Sequence, residues 1–142
     1  MTGSGSTASS PRAVVSTQRS SLSRVNRSMT GVSCEPMTFM PGTDDTASNP
    51  TVIIEVLSKS TEAYDRGKKF EHYRQLPSLR EYVLVSQDTP VIERFTRESD
   101  DRWVLTTARG LAAVLPLPVI EAELPLAEVY DKVGFNPPTA NA

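Results

Sequence analysis

The sequence holds one cysteine, Cys34, and one histidine, His72, in 142 residues. A single cysteine excludes an intrachain disulfide and fits a reducing cytoplasm, where the chain is expected to reside. With one cysteine and one histidine there is no Cys/His cluster of zinc-site spacing. Acidic residues are missing from residues 1–34, which carry Arg12, Arg19, Arg24 and Arg27. Aromatic residues are missing from 1–33. The longest apolar run, LAAVLPLPVI at 111–120, is ten residues with two prolines. A bilayer-spanning helix needs about 20 apolar residues, so no membrane association is expected. No secretory h-region follows Met1.

What is present fits one domain with a core of modest size. The formal charge of -2 gives the whole chain no bulk electrostatic pull towards nucleic acid. The charge is unevenly spread: residues 1–34 carry +4 and the remainder -6, because all 17 acidic residues lie from Glu35 onwards.

Residues 1–33 contain ten serines and only scattered Val and Leu. Such a segment buries too little surface to offset its chain entropy, which predicts disorder. Its Ser- and Arg-rich, acid-free composition also matches an organellar transit peptide, or an out-of-frame reading of a GC-rich gene. From Pro50 the character changes. TVIIEVL (51–57) reads as a buried strand, SKST (58–61) as a polar loop, and 62–76 as a helix. Pro77 stops that helix. EYVLVSQ (81–87), VIERFTR (91–97) and RWVLTTA (102–108) read as an antiparallel meander, with turns at DTP and ESDD. LAAVLPL (111–117) suggests another short strand, and PLAEVYDKV (125–133) a short helix with Pro125 in its first turn. The tail 136–142 reads as loose. The pattern predicts an α/β fold: a mixed sheet with a helix packed on one face.

One residue breaks the apolar pattern. Strand parity places Val52, Ile54 and Val56 on one face and Ile53, Glu55 and Leu57 on the other. A buried carboxylate either finds a cation or takes up a proton. Glu55 is therefore either a residue of a half-covered face, looking at water or an arginine, or a metal ligand or catalytic group. Asp65, Lys69 and Tyr73 follow at i, i+4, i+8 and line one side of the helix. They form either a solvated Asp–Lys pair or a row facing the same cleft as Glu55. A carboxylate holding a metal beside a lysine holding water or a phosphate oxygen is what metal-assisted phosphodiester cleavage requires.

The segment NPTVIIEVLSKSTEAYDRGKKFEHYRQLPSLREYVLVSQ (49–87) resembles the Uma-two family of bacterial restriction endonucleases of the PD-(D/E)XK nuclease type. The Glu-bearing strand, the Ser-x-Ser-Thr loop, the Asp-x-x-x-Lys-x-x-x-Tyr helix and the Glu-Tyr strand stand in the family's order. The likeness extends back through CEPMTFMPGTDDT (34–46) and forward to LPLAEVYDKVGF (124–135). It implies a restriction-endonuclease-like mixed sheet flanked by helices over 34–135, truncated at its N-terminus. It further implies Glu55 as a magnesium ligand, Lys69 as the catalytic lysine moved onto the helix, and Tyr73 as its support, with Lys68 the less favoured neighbour. DNA is the implied partner, and a homodimer is left open. Family members carry a further Asp in a Tyr-Pro-Asp strand that should end just before Cys34. Here RSMTGVS (27–33) has no carboxylate, and Asp44 and Asp45 follow as expected loop acids. The expectation is a weak endonuclease or none. Two alternatives remain: a non-catalytic remnant of the fold, and a small binding module with a basic N-terminal arm.

Overall fold

The computed structural model describes residues 13–16, 34–36 and 50–135. Among these residues six strands form the main sheet: β1 (Ala13–Ser16), β2 (Cys34–Pro36), β3 (Val52–Val56), β4 (Glu81–Val85), β5 (Val91–Arg97) and β6 (Trp103–Arg109). Their order is β2-β1-β3-β4-β5-β6. The pairs β1–β2, β1–β3 and β3–β4 are parallel, and β4–β5–β6 is the antiparallel meander expected from the turn signals. The sheet is therefore mixed, with its parallel step made by a helical crossover between β3 and β4.

Within the segment expected to be unstructured, Ala13–Ser16 forms β1 beside β3, with Val14 opposite Ile53 and Ser16 opposite Glu55. This corrects the expectation for those four residues. The compositional average of 1–33 hides a short β-branched run, AVVS, that a strand with an open side can recruit. The rest of 1–33, with Arg19, Arg24 and Arg27, lies outside the described residues, as do Asp44, Asp45 and the tail 136–142.

The crossover is helical from Glu62 to Tyr73, but not uniform. A short α1 (Glu62–Tyr64) runs into a π-helical turn (Asp65–Lys69), then α2 (Phe70–Tyr73). The uniform helix expected over 62–76 is thus shorter and contains a wider turn. Leu76 follows the helix in a turn closed by Leu76 N–H donating to Tyr73 C=O (3.0 Å). Pro77, which has no N–H to give, prevents continuation.

Both faces of the sheet are covered, which is why β3 and β4 are apolar on both parities. On one side Ile53, Leu57, Leu79, Tyr82 and Leu84 pack with Tyr73 and Phe70 of the helix. On the other, Val52, Ile54, Val83, Val85 and Ile92 meet a two-stranded sheet, β7 (Val114–Leu117) and β8 (Ala122–Pro125), and a short α3 (Leu126–Val129). Pro125 ends β8 and caps α3, rather than lying in its first turn. β8 carries no strand signal of its own in AELP; pairing with β7 makes it a strand. The Tyr130 hydroxyl lies 2.8 Å from both the Ser86 and Val91 carbonyls, tying the C-terminal layer to the β4–β5 turn.

Candidate active site

Glu55 stands on β3, the fourth strand counted from β6, with Ser16 opposite on β1 and Leu84 opposite on β4. Parity turns its side chain to the helical side, among Ile53, Leu57 and Leu84. It is 2% exposed. A charge buried to that degree needs a cation close by, and the helix supplies it. Lys69 Nζ lies 2.8 Å from Glu55 Oε1 and 3.3 Å from Asp65 Oδ1. Asp65 is itself 3% exposed. The i, i+4 pair is therefore not a solvated surface pair: one ammonium joins two buried carboxylates, one from the sheet and one from the helix.

The helix is held in register by the aromatic residue next to Lys69. Phe70 stacks on Tyr82 of β4 with ring centroids 4.9 Å apart and planes 5° from parallel. It also touches Phe95 at 4.7 Å and the edge of Trp103 at 5.2 Å. Such pairs contribute about 0.5–1.5 kcal/mol each beyond area burial. The Tyr82 hydroxyl then donates to the Asp65 carbonyl at 3.0 Å, fastening the π-turn to the sheet. π-Turns inside helices are frequent at functional sites, because the wider turn re-aims side chains.

Electrostatics follow from this packing. For Lys69, burial favours the neutral amine, but Glu55 and then Asp65 outweigh it and hold the pKa above the ordinary lysine value. Lys69 is a fixed cation and not a base near neutral pH. Tyr73 is buried one turn further on, and its hydroxyl is pushed well above the ordinary tyrosine range. Desolvation is the main cause, and the charges of Glu55 and Asp65 add to it. It stays protonated beside Glu55, with a hydroxyl proton to offer. Lys68 is exposed, and its carbonyl lies 3.0 Å from His72 Nδ1. Glu55, Lys69 and Tyr73 are thus brought together, and Lys68 is not.

Sequence reasoning underweighted Asp65, since spacing alone cannot tell a solvated pair from a buried one. It also missed Glu93, which lies opposite Leu84 on β5, shares the helical face with Phe95, and pairs with Arg66 of the π-turn. The signal was available in the parity of VIERFTR, where Glu93 and Phe95 alternate with Ile92 and Arg94.

The donor set suits a hard divalent cation in part. Glu55 and Asp65 offer carboxylate oxygens, and with Lys69 the trio carries a net charge of -1. No group of three or more His, Cys, Asp or Glu side chains stands together among the described residues. Magnesium is commonly held by one or two carboxylates, with phosphate and water oxygens completing its shell.

The model of the Uma2 family, described as "Putative restriction endonuclease", matches residues 32–127. Two proteins of Synechocystis sp. are similar, each named only as uncharacterized. One, sll1609, is 35% identical over 79 residues, covering 56% of this chain and 45% of its own length. The other, slr1290, is 45% identical over 56 residues, covering 39% of this chain and 30% of its own. The chain thus spans less than half the length of these relatives. A crystal structure of a putative nuclease belonging to DUF820 from Anabaena variabilis is similar with a TM-score of 0.48 and 15% identity, over 76% of this chain and 54% of that one. With the family model matching 32–127 of 142 residues, the chain belongs to the Uma2 family.

Proposed function

We propose that the chain is a magnesium-dependent DNA endonuclease of low activity, with Glu55 and Asp65 as the metal-holding carboxylates, Lys69 as the catalytic cation and Tyr73 as a hydrogen-bond donor to Glu55. The observation that carries this reading is the ammonium of Lys69, buried between two carboxylates at 2.8 and 3.3 Å, in a family described by nuclease function. A structural ion pair of this depth is costly to desolvate and is weak support for stability alone. Chemistry accounts for its presence better than stability does.

A magnesium ion at this site would supply Lewis-acid charge to the scissile phosphate and acidify a bound water. The chain's own residues do the rest. Glu55 orients by its fixed place on β3. Lys69, held as an ammonium, stabilises negative charge that builds on a phosphate oxygen. Tyr73 keeps its proton and fixes the Glu55 carboxylate. Apolar walls from Ile53, Leu57 and Leu84 exclude bulk water. Two carboxylates hold a hard cation less firmly than a fuller set, and a misplacement of about 1 Å can cost ~100-fold in rate, so turnover is slow.

The test is nicking of supercoiled plasmid with magnesium or manganese by the 142-residue chain, Glu55→Gln and Lys69→Ala. Slow metal-dependent nicking by the parent, lost in both variants, is expected. Absence of nicking at stoichiometric protein would favour a non-catalytic member of the family. Nicking that survives in Glu55→Gln would remove Glu55 from the site.

A further inference from the structure

Among the described residues the sheet ends at β6, which pairs with β5 on one side only. Gly110 N–H donates to the Pro90 carbonyl, and Glu98 N–H donates to the Arg102 carbonyl. In the alternating antiparallel ladder, even-numbered residues of β6 therefore turn their main-chain groups to β5. Trp103, Leu105, Thr107 and Arg109 turn theirs outwards. The strand is seven residues long and also shows apolar side chains, Val104 at 41% and Leu105 at 49% exposure.

Free edges are ordinarily blunted by lysine, proline, bulges or brevity. The opposite edge, β2, is three residues long and ends at Pro36. β6 has no lysine or proline, and its pairing with β5 runs without a bulge from Trp103 to Arg109. An open row of N–H and C=O groups flanked by Val104 and Leu105 has one good complement, another extended strand.

We propose that this edge is a homodimer interface in which β6 pairs antiparallel with β6 of a second copy about a two-fold axis at Leu105. The outward groups sit on odd residues only, so the register must set odd against odd. Centring on Leu105 places the two Leu105 side chains against each other and Trp103 opposite Thr107. It also brings the turn before β6, with Asp101 two residues ahead of the strand, to the Arg109 end of the other copy. Charge complementarity selects this register. Asp101 has an 82% exposed side chain, and Arg97 approaches its Oδ1 at 3.3 Å, leaving a second carboxylate oxygen for the incoming guanidinium. Arg109 is exposed at the far end of the strand. The two β6 strands then join the two sheets into one, with the helical layers of both copies on the same side. This assignment is independent of whether the Glu55 site cleaves DNA.

The test is the mass of the full chain by sedimentation equilibrium up to about 100 μM, the range in which a weak specific pair associates. A dimer is expected. Thr107→Pro removes one outward N–H while sparing the ladder to β5, and Leu105→Lys sets two ammonium groups at the two-fold axis. Each should raise the dissociation constant at least about tenfold, or abolish the dimer, with unchanged far-ultraviolet circular dichroism. If Thr107→Pro fails to fold, Leu105→Lys decides. The sole tryptophan, Trp103, gives a second readout through a concentration-dependent emission shift that Leu105→Lys removes. A parent chain monomeric throughout this range overturns the proposal. So does a dimer that persists unchanged in a folded Leu105→Lys protein.

Discussion

Glu55 and Lys69, fourteen residues apart, meet at 2.8 Å across the interface between β3 and the crossover helix. That contact converts the chain's least expected side chain, a carboxylate in an apolar strand, into half of a buried ion pair. It also fixes the protonation state of the lysine. Because Glu55 and Asp65 both favour the ammonium, Lys69 enters any chemistry as a positive charge. A raised folded-state lysine pKa contributes stability below the ordinary lysine value, and that contribution is lost as pH rises through the higher folded value. Near neutral pH it is fully present.

Lys69→Met tests how much of the fold rests on this contact. The substitution keeps the apolar stem and removes the charge, leaving Glu55 and Asp65 buried without the cation they share. Removing one partner of a buried pair costs about 3–5 kcal/mol. The expected loss at pH 7.5 lies near the lower end, since either carboxylate can take up a proton. The difference between parent and variant, measured by urea denaturation, should shrink at pH 4.5, where protonation relieves the buried charge. A loss below about 0.5 kcal/mol at pH 7.5, as for an exposed pair, would contradict burial of the trio.

The sequence showed this region well because parity and helical spacing are short-range signals. VIIEV had to be a strand with Glu55 opposite in parity to Ile54, and Asp65, Lys69 and Tyr73 had to line one side of a helix. What spacing could not show is which side of that helix faces the sheet. Phe70, with three aromatic contacts, decides it. The strand at Ala13–Ser16 was illegible for a different reason: four residues of β-propensity in a serine-rich segment become a strand only when β3 offers an unpaired side. The pairing of β8 with β7 is likewise tertiary context overriding weak local preference. The π-turn has no signal in DRGKK that separates it from an ordinary helix.

Glu55→Gln separates metal binding from folding. The amide fills the same space, and Lys69 keeps Asp65 as its counter-charge. The fold should persist with a modest change in melting temperature. In the parent, magnesium or manganese should raise the melting temperature in a concentration-dependent manner, as any ligand of the native state must. In Glu55→Gln that rise should fall to a small fraction. Equal shifts in both proteins, read by differential scanning fluorimetry, would place the cation elsewhere.

Glu81 offers the last prediction, on the opposite face of the sheet. It begins β4 and is 0% exposed, and neither carboxylate oxygen has a hydrogen-bond partner among the described residues. Arg94 Nε lies 3.8 Å from Oε1, while the Arg94 guanidinium also bonds the Pro116 carbonyl and reaches Thr106 Oγ1 at 3.5 Å. Desolvation dominates, opposed by Arg94 and Arg80, and the Glu81 carboxyl is pushed up to about 6 from its ordinary 4.5. A carboxyl whose folded pKa is raised contributes stability that is fully present below the unfolded value and lost as pH climbs through the folded one. At about 1.4 kcal/mol per unit the full loss is about 2 kcal/mol, of which about 1.5 kcal/mol falls between pH 4.5 and 7. Glu81→Gln holds a neutral group of the same shape at every pH. It should stabilise the protein by about 1–2 kcal/mol at pH 7.5 and by only about 0.4 kcal/mol at pH 4.5. Urea midpoints for both proteins at the two pH values provide the check. Destabilisation by Glu81→Gln at pH 7.5 would mean that the Arg94 pairing outweighs the desolvation of Glu81, and that the carboxylate is a net support of the fold.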